Sequence, residues 1–158
     1  MSVLTSALDS FTWPMPAFHF NVVFTGMLTI PNDYSFQDVS GIGSQIETED
    51  IMQGGDNLTV IHLPKGVKHS NLVLKRGIFM RGSGLVEWCI NTFSEEFDQI
   101  SPQGILVSLL DEYGIPQRMW SFDNAYPVNW KVDSFNSTKN EVAIEEIELC
   151  YSNMTRTL

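Results

Sequence analysis

Chemistry at neutral pH needs a base, a nucleophile or a metal ligand, and this chain offers few. Its histidines are His19, His62 and His69, and its cysteines are Cys89 and Cys150. A metal site needs three or four such ligands at a workable spacing. No His-x-x-x-His run, Cys/His cluster or C-x-x-C occurs, so the cysteines read as two reduced, buried, inert thiols. His19 alternates with apolar residues and belongs on the polar side of a strand. His62 and His69 bracket an expected turn at Pro64-Lys65-Gly66.

Carboxylates are abundant. Glu47 with Glu49, and Glu146 with Glu148, are spaced to share one face of a strand. A glycosidase needs two carboxyls across a cleft, one of raised pKa. Nothing here marks a cleft, and solvated acidic faces are the simpler reading. Gly41-Ile42-Gly43 and Gly82-Ser83-Gly84 lack the lysine and spacing of a phosphate loop. No G-x-S-x-G elbow is present either. The expectation is a protein that is not an enzyme, with no catalytic residue, no metal and no cofactor.

The chain has 158 residues, one domain's worth, with 19 acidic and 9 basic side chains and a formal charge of -10. Nucleic-acid binding relies on cations that neutralise phosphates. The scattered Lys65, Lys68, Lys75, Arg76 and Arg81 are poor material for it. An acidic surface instead lets a polyanion pass without sticking. No stretch reaches the ~18 apolar residues of a membrane span. The opening residues MSVLTSALDSF have no basic region or long apolar run, which points to a cytoplasmic protein that does not bind membranes.

The elements that must position these side chains are mostly strands. Residues 1–16 read as an N-terminal arm, with Leu4, Leu8, Phe11 and Trp13 too apolar for a solvated tail. The domain proper runs from 17 to 158. Phe18 to Thr25 alternates with apolar even positions, and Pro31-Asn32-Asp33 marks a turn. A polar strand over 45–52, a glycine turn at Gly54-Gly55-Asp56-Asn57 and a return over 58–63 predict a long hairpin, too charged for a core. Asn71 to Phe79 predicts a strand with Leu72, Leu74 and Ile78 on one face, a face that Arg76 interrupts.

One amphipathic helix follows, capped by Ser83 or Gly84, with Leu85, Trp88, Cys89, Thr92, Phe93 and Phe97 at helical spacing. Strands return at 105–110, 119–124, 128–135 and 141–151, with a break at Tyr126-Pro127. The apolar parity of the last strand changes from Val142 and Ile144 to Ile147, Leu149 and Tyr151, which predicts a β-bulge at Glu145-Glu146. The fold class is therefore mainly β with one flanking α-helix: two packed antiparallel sheets forming a sandwich or barrel. Trp120, Tyr126 and Trp130 leave open a soluble carbohydrate-binding sandwich, although aromatics alternating along strands more often belong to a core.

The order of segments carries a resemblance. Phe18–Phe24, Phe36–Ile42, Ile46–Asn57, Leu63–Ile78, Trp88–Phe93, Ile105–Asp111, Trp120–Trp130 and Asn140–Leu149 together resemble the tail-tube family of contractile-tailed phages and extracellular contractile injection systems. The haemolysin-coregulated tube protein of type VI secretion is a related architecture. The likeness spans residues 14 to 156. It implies homohexameric rings that stack into a tube inside a contractile sheath, with baseplate or hub and cap proteins at the ends and cargo in the lumen. In that setting the hairpin tip, Gln53, Gly54, Gly55, Asp56 and Asn57, is the expected ring-to-ring contact. Glu47, Glu49, Glu146 and Glu148 are expected to face the lumen. Six copies would carry a charge of about -60 per ring, a field that disfavours retention of acidic cargo.

Overall fold

Val22 and Phe24 are buried while Asn21 and Thr25 are exposed, so the alternation of this stretch folds as a strand with one face inward. The same rule builds most of the molecule. The computed structural model describes residues 20–26, 36–52, 54–55, 58–78, 83–94, 100–134, 138 and 142–158. The expected arm over 1–16, His19, the Pro31–Asp33 turn, Phe79, Arg81 and Phe97 lie outside them. In chain order the described elements are β1 (Phe20–Thr25), β2 (Asp38–Ser40), β3 (Ser44–Met52), β4 (Val60–His69), β5 (Leu72–Gly77), α1 (Gly84–Phe93), β6 (Gln103–Leu110), β7 (Pro116–Val132), β8 (Ile144–Cys150) and β9 (Asn153–Arg156).

All the pairings are antiparallel. β7 is long enough to serve two sheets. Its first half lies between β6 and β9, and β1 pairs with the far side of β6. Its second half pairs with β8, followed by β5 and β2. Two four-stranded sheets thus share one strand. The changeover falls at Asn124, whose φ of +54° is a left-handed value that asparagine tolerates better than most residues. The β8–β9 junction pins this bend. Ser152 N–H donates to the Asp123 carbonyl at 3.0 Å, and Asn124 Nδ2 donates to Ser152 Oγ at 3.1 Å.

The expected break at Tyr126-Pro127 is therefore a bend within one strand, placed two residues earlier. Pro127 stays in the strand opposite Leu149. The register slips between Pro127 and Asn129, a bulge where a residue without an N–H does least harm.

The core collects Val22, Phe24, Ile105, Val107 and Phe122 from the first sheet and Leu72, Leu74, Ile147 and Leu149 from the second. Helix α1 adds Leu85, Trp88 and Cys89. Trp88 packs edge-on to Phe24 with ring centres 6.0 Å apart, and its indole donates to the Ser101 carbonyl at 2.8 Å. Phe93, expected on the apolar face of the helix, is exposed near its end. Burial pushes the Cys89 thiol up to about 12, and the Glu145 carboxylate adds to the shift, so it is protonated and inert. Cys150 is only half-buried.

One polar pair sits inside this core. Arg76 and Glu145, 1% and 3% exposed, are direct cross-strand partners on β5 and β8. Arg76 Nε donates to Glu145 Oε1 at 2.5 Å. Arg76 Nη2 donates to Ser83 Oγ at 2.6 Å, and Trp130 Nε1 donates to Glu145 Oε2 at 3.2 Å. The guanidinium also lies 5.9 Å from the centre of the Phe36 ring.

This pair corrects the bulge expected at Glu145-Glu146. The β5–β8 register runs unbroken from Leu72↔Leu149 to Gly77↔Ile144. Glu145 holds an inward position on the parity of Ile147 and Leu149, and Ile144 shares the outward parity with Glu146 and Glu148. The pattern reads as re-phased because a buried charge occupies an apolar site. Removing one partner of a buried ion pair strands the other charge, which costs roughly 3–5 kcal/mol. Arg76→Met should therefore lower stability by about that much in denaturant titration, and adding Glu145→Leu should recover most of the loss. Additive losses in the double variant would contradict this account.

Candidate functional site: sheet edges and the projecting hairpin

β3 and β4 form a separate two-stranded sheet whose residues are exposed almost throughout. Its base is tied to the domain. Ser70 N–H donates to the Gly43 carbonyl at 3.2 Å, Ser44 Oγ and His69 Nδ1 lie 2.8 Å apart, and the His69 and Tyr151 rings are 5.4 Å apart. Gly41 makes the junction possible. Its φ is +83°, and a Cβ there would come within 1.9 Å of the Asn71 carbonyl oxygen.

The returning strand does not turn at Pro64-Lys65-Gly66 as expected. It runs on to His69, with Lys65 as the extra residue where the register slips opposite Glu47 and Thr48. The bulge absorbs Pro64, so the ladder continues on both sides of it. One hairpin face pairs Ile46 with Val67, Asp50 with His62 and Met52 with Val60. His62 Nδ1 and Asp50 Oδ1 are 2.5 Å apart. The other face pairs Glu49 with Leu63 and Ile51 with Ile61 and bears a Lys68–Glu47 contact at 3.6 Å.

Both faces thus expose large apolar side chains, including Met52 at 83% and Val67 at 64%. A lone two-stranded hairpin in water is marginal, and exposed apolar surface of this kind marks a contact site. At the tip, Gly54 and Gly55 form the turn, Gly55 with φ +103°. Gln53, Asp56 and Asn57 lie outside the described residues.

The second surface is the outward face of the β7–β8–β5–β2 sheet. Pairing registers align two rows across all four strands. In one row Asp38 stands opposite Lys75, Lys75 opposite Glu146, and Glu146 opposite Lys131. The contacts are 4.0, 3.4 and 2.7 Å. The Lys131 ammonium, and after it Lys75, holds the Glu146 carboxyl below its ordinary range, and the same pairing raises Lys131. By linkage, a depressed carboxyl contributes stability above its unfolded pKa that fades as pH falls through the folded value. In the next row Ser40, Val73, Glu148 and Asn129 align. Glu148 accepts from Asn71 Nδ2 at 2.7 Å and Asn129 Nδ2 at 3.4 Å.

Of the acidic residues singled out in the sequence, Glu146 and Glu148 share this sheet face, while Glu47 and Glu49 sit together on the separate hairpin. Asp38, Lys75 and Lys131 have no signal in chain order, because only strand register aligns them. Trp120, Tyr126 and Trp130 are half-buried against the core rather than displayed as a platform. Among the described residues no group of three or more His, Cys, Asp or Glu side chains could hold a metal. No helix among them is long and apolar enough to cross a membrane.

Known proteins share this fold. A family model described as T4-like virus tail tube protein gp19 matches residues 16–155. The fold is similar to a chain of the anti-feeding prophage (AFP) baseplate, with 27% identity, a TM-score of 0.73, and 92% of this chain and 96% of that one covered. It is similar to a chain of the PVC sheath-tube complex, an extracellular contractile injection system in the extended state. There the identity is 24%, the TM-score 0.78 and the coverage 96% and 97%. Hcp1 from Flavobacterium johnsoniae shares the fold at a TM-score of 0.52 and 12% identity, with 89% and 95% covered. No curated protein matches.

The junction geometry makes Gly41 the sensitive point of the hairpin. Gly41→Ala should loosen the attachment of residues 44–69 by at least about 1 kcal/mol, since both φ and space oppose a side chain. Hydrogen exchange should rise in β3 and β4 while β6 and β7 keep their protection. Unchanged exchange in the hairpin would contradict that assignment.

Proposed function

The chain belongs to the T4-like virus tail tube protein family, and from that premise we propose that identical copies close into hexameric rings that stack as the inner tube of a contractile injection particle. One observation carries this reading. The β7–β8–β5–β2 sheet ends in two strands, and nothing among the described residues pairs with their outer sides. Such edges are pairing templates, and closing a ring removes them.

The strand directions fit closure. Four antiparallel strands leave the edge halves of β7 and β2 running in opposite senses. Copies related by rotation then continue the antiparallel pattern across each joint. Six four-stranded sheets at ~4.8 Å per strand make a wall roughly 115 Å around and at least ~37 Å across at the backbone, wide enough for folded cargo.

In this arrangement the outward sheet face lines the channel, with Glu146 and Glu148 on the wall. The two rows place three carboxylates against two ammonium groups, so the wall is only mildly acidic. Most of the -10 charge lies elsewhere. The wall acts by not holding what passes. The tube itself does no chemistry; the sheath moves it. The hairpin reaches the next ring or subunit, where its apolar pairs are covered and its tip, including Gln53, Asp56 and Asn57, makes the stacking contact. Interfaces of this kind bury obligate areas of about 2,000 Å² or more. Contractile sheath, baseplate or hub, and cap proteins are the partners. The AFP and PVC structures are of a baseplate and of a sheath-tube complex. Assembly takes place in a bacterial cytoplasm.

Negative-stain microscopy with light scattering of the purified protein should show six-fold rings or short tubes; a monomer at every concentration would refute the proposal. Gly54→Val adds its side chain into open space. It should therefore leave folding and single rings intact while shortening or abolishing tubes. Tubes of normal length would remove the tip from the stacking contact.

A further inference from the structure

The charged row on the outward sheet face ends with opposite signs at two edges that no described residue pairs with. Asp38 stands on β2 at one edge and Lys131 on β7 at the other, and the row between them alternates: carboxylate, ammonium, carboxylate, ammonium. Lys131 reaches Glu146 at 2.7 Å, whereas Asp38 lies 4.0 Å from Lys75. Both end side chains are about half exposed. We infer that the seam between neighbouring copies is an antiparallel pairing of the second half of β7 with β2, registered so that Lys131 of one copy meets Asp38 of the next.

The inference rests on the ring reading and gives it a register. In antiparallel pairing, a step of two residues up one strand matches two down the other. Setting Lys131 against Asp38 therefore sets Asn129 against Ser40 on the same face, an amide against a hydroxyl. On the inward face it sets Trp130 against Val39, an aromatic ring against a β-branched side chain. Each is a favourable cross-strand pair. A shift of one residue would set outward-facing side chains of one copy opposite inward-facing ones of the next, putting the pleats of the two strands out of phase. A shift of two in one direction would set Lys131 against Ser40, and in the other Asn129 against Asp38, leaving the row's end charges without opposite partners. Backbone pairing and buried area supply the affinity of the seam. The charge pair selects the register and penalises like-charge alternatives.

With the seam made, the alternating row continues around the ring as a closed belt at one height of the channel. The belt is neutral, since each copy gives two carboxylates and two ammonium groups. The acidic contribution of these rows then falls to Glu148, two residues along β8 from Glu146.

The test is a charge swap in the full chain, read by the concentration needed for ring assembly at low salt. Lys131→Glu and Asp38→Lys each place like charges across the seam, and each should raise that concentration by about tenfold or more. The double variant Asp38→Lys/Lys131→Glu should regain most of the loss. Within each copy the double variant keeps both new like-charge neighbours, an ammonium at position 38 beside Lys75 and a carboxylate at position 131 beside Glu146. Recovery can therefore come only from the restored pair between copies. The defect of each single variant should shrink near 1 M salt, where the Debye length is about 3 Å.

A double variant that assembles as poorly as the two single defects combined overturns the seam. Single variants that assemble like the wild type overturn it too, while leaving the ring reading intact. A wild-type chain that forms no rings overturns both. Asp38→Cys/Lys131→Cys gives an independent readout, because oxidation should yield a ladder of covalent multimers from assembled rings. Absence of that ladder from rings seen by microscopy counts against the register, and a wild-type control accounts for Cys150.

Discussion

The buried contact between Arg76 and Glu145 is the constraint on which the rest of the molecule depends. It joins β5 to β8 where their apolar ladder would otherwise continue. Through Trp130 it reaches β7, and through Ser83 it reaches the first turn of α1. Ser83 also caps that helix, accepting from Val86 N–H at 3.3 Å. One polar network thus fixes the lateral order of three strands and the seat of the helix. A hydrophobic substitute would pack, but it would not specify which groups meet, because apolar contacts are non-directional. Desolvation makes such a network costly to leave incomplete, and this gives it its specifying power.

With the helix seated and the strand order fixed, β7 divides the labour of the fold. Its first half completes the sheet with β6, β9 and β1. Its second half forms an edge of the sheet with β8, β5 and β2. The left-handed Asn124 and the hydrogen bonds around Ser152 hold the turn between the two roles. The consequence is asymmetric. The inward faces of both sheets are filled by side chains of the same copy, while among the described residues the second sheet is left with two unpaired borders and a polar outward face. The hairpin extends the same asymmetry, since it is anchored at Gly41 and His69 and carries exposed apolar pairs among its charged ones. A chain arranged this way satisfies its core alone but leaves backbone groups and apolar pairs that identical neighbours can satisfy.

Much of this is legible in the residues themselves. The period-2 runs of β1 and β5, the helical spacing of Leu85, Trp88 and Cys89, and the glycine turn between β3 and β4 are local patterns. Local backbone and burial preferences suffice to read them. The projecting character of the hairpin follows from its charge, and the family resemblance follows from the order of segments. The lack of His/Cys clustering likewise needs only the sequence.

Tertiary structure decided the rest, because it depends on which residues of distant segments become neighbours. Arg76 reads as an interruption and Glu145 as part of a bulge until strand register, across 69 positions of sequence, makes them partners. Pro64 and Pro127 read as strand breaks until a bulge on each strand absorbs them. The row from Asp38 to Lys131 exists only after four strands are aligned, and no spacing along the chain encodes it. The sequence determined the elements and the faces they bury; register, a property of pairs of strands, determined which charges meet and which borders the described residues leave open.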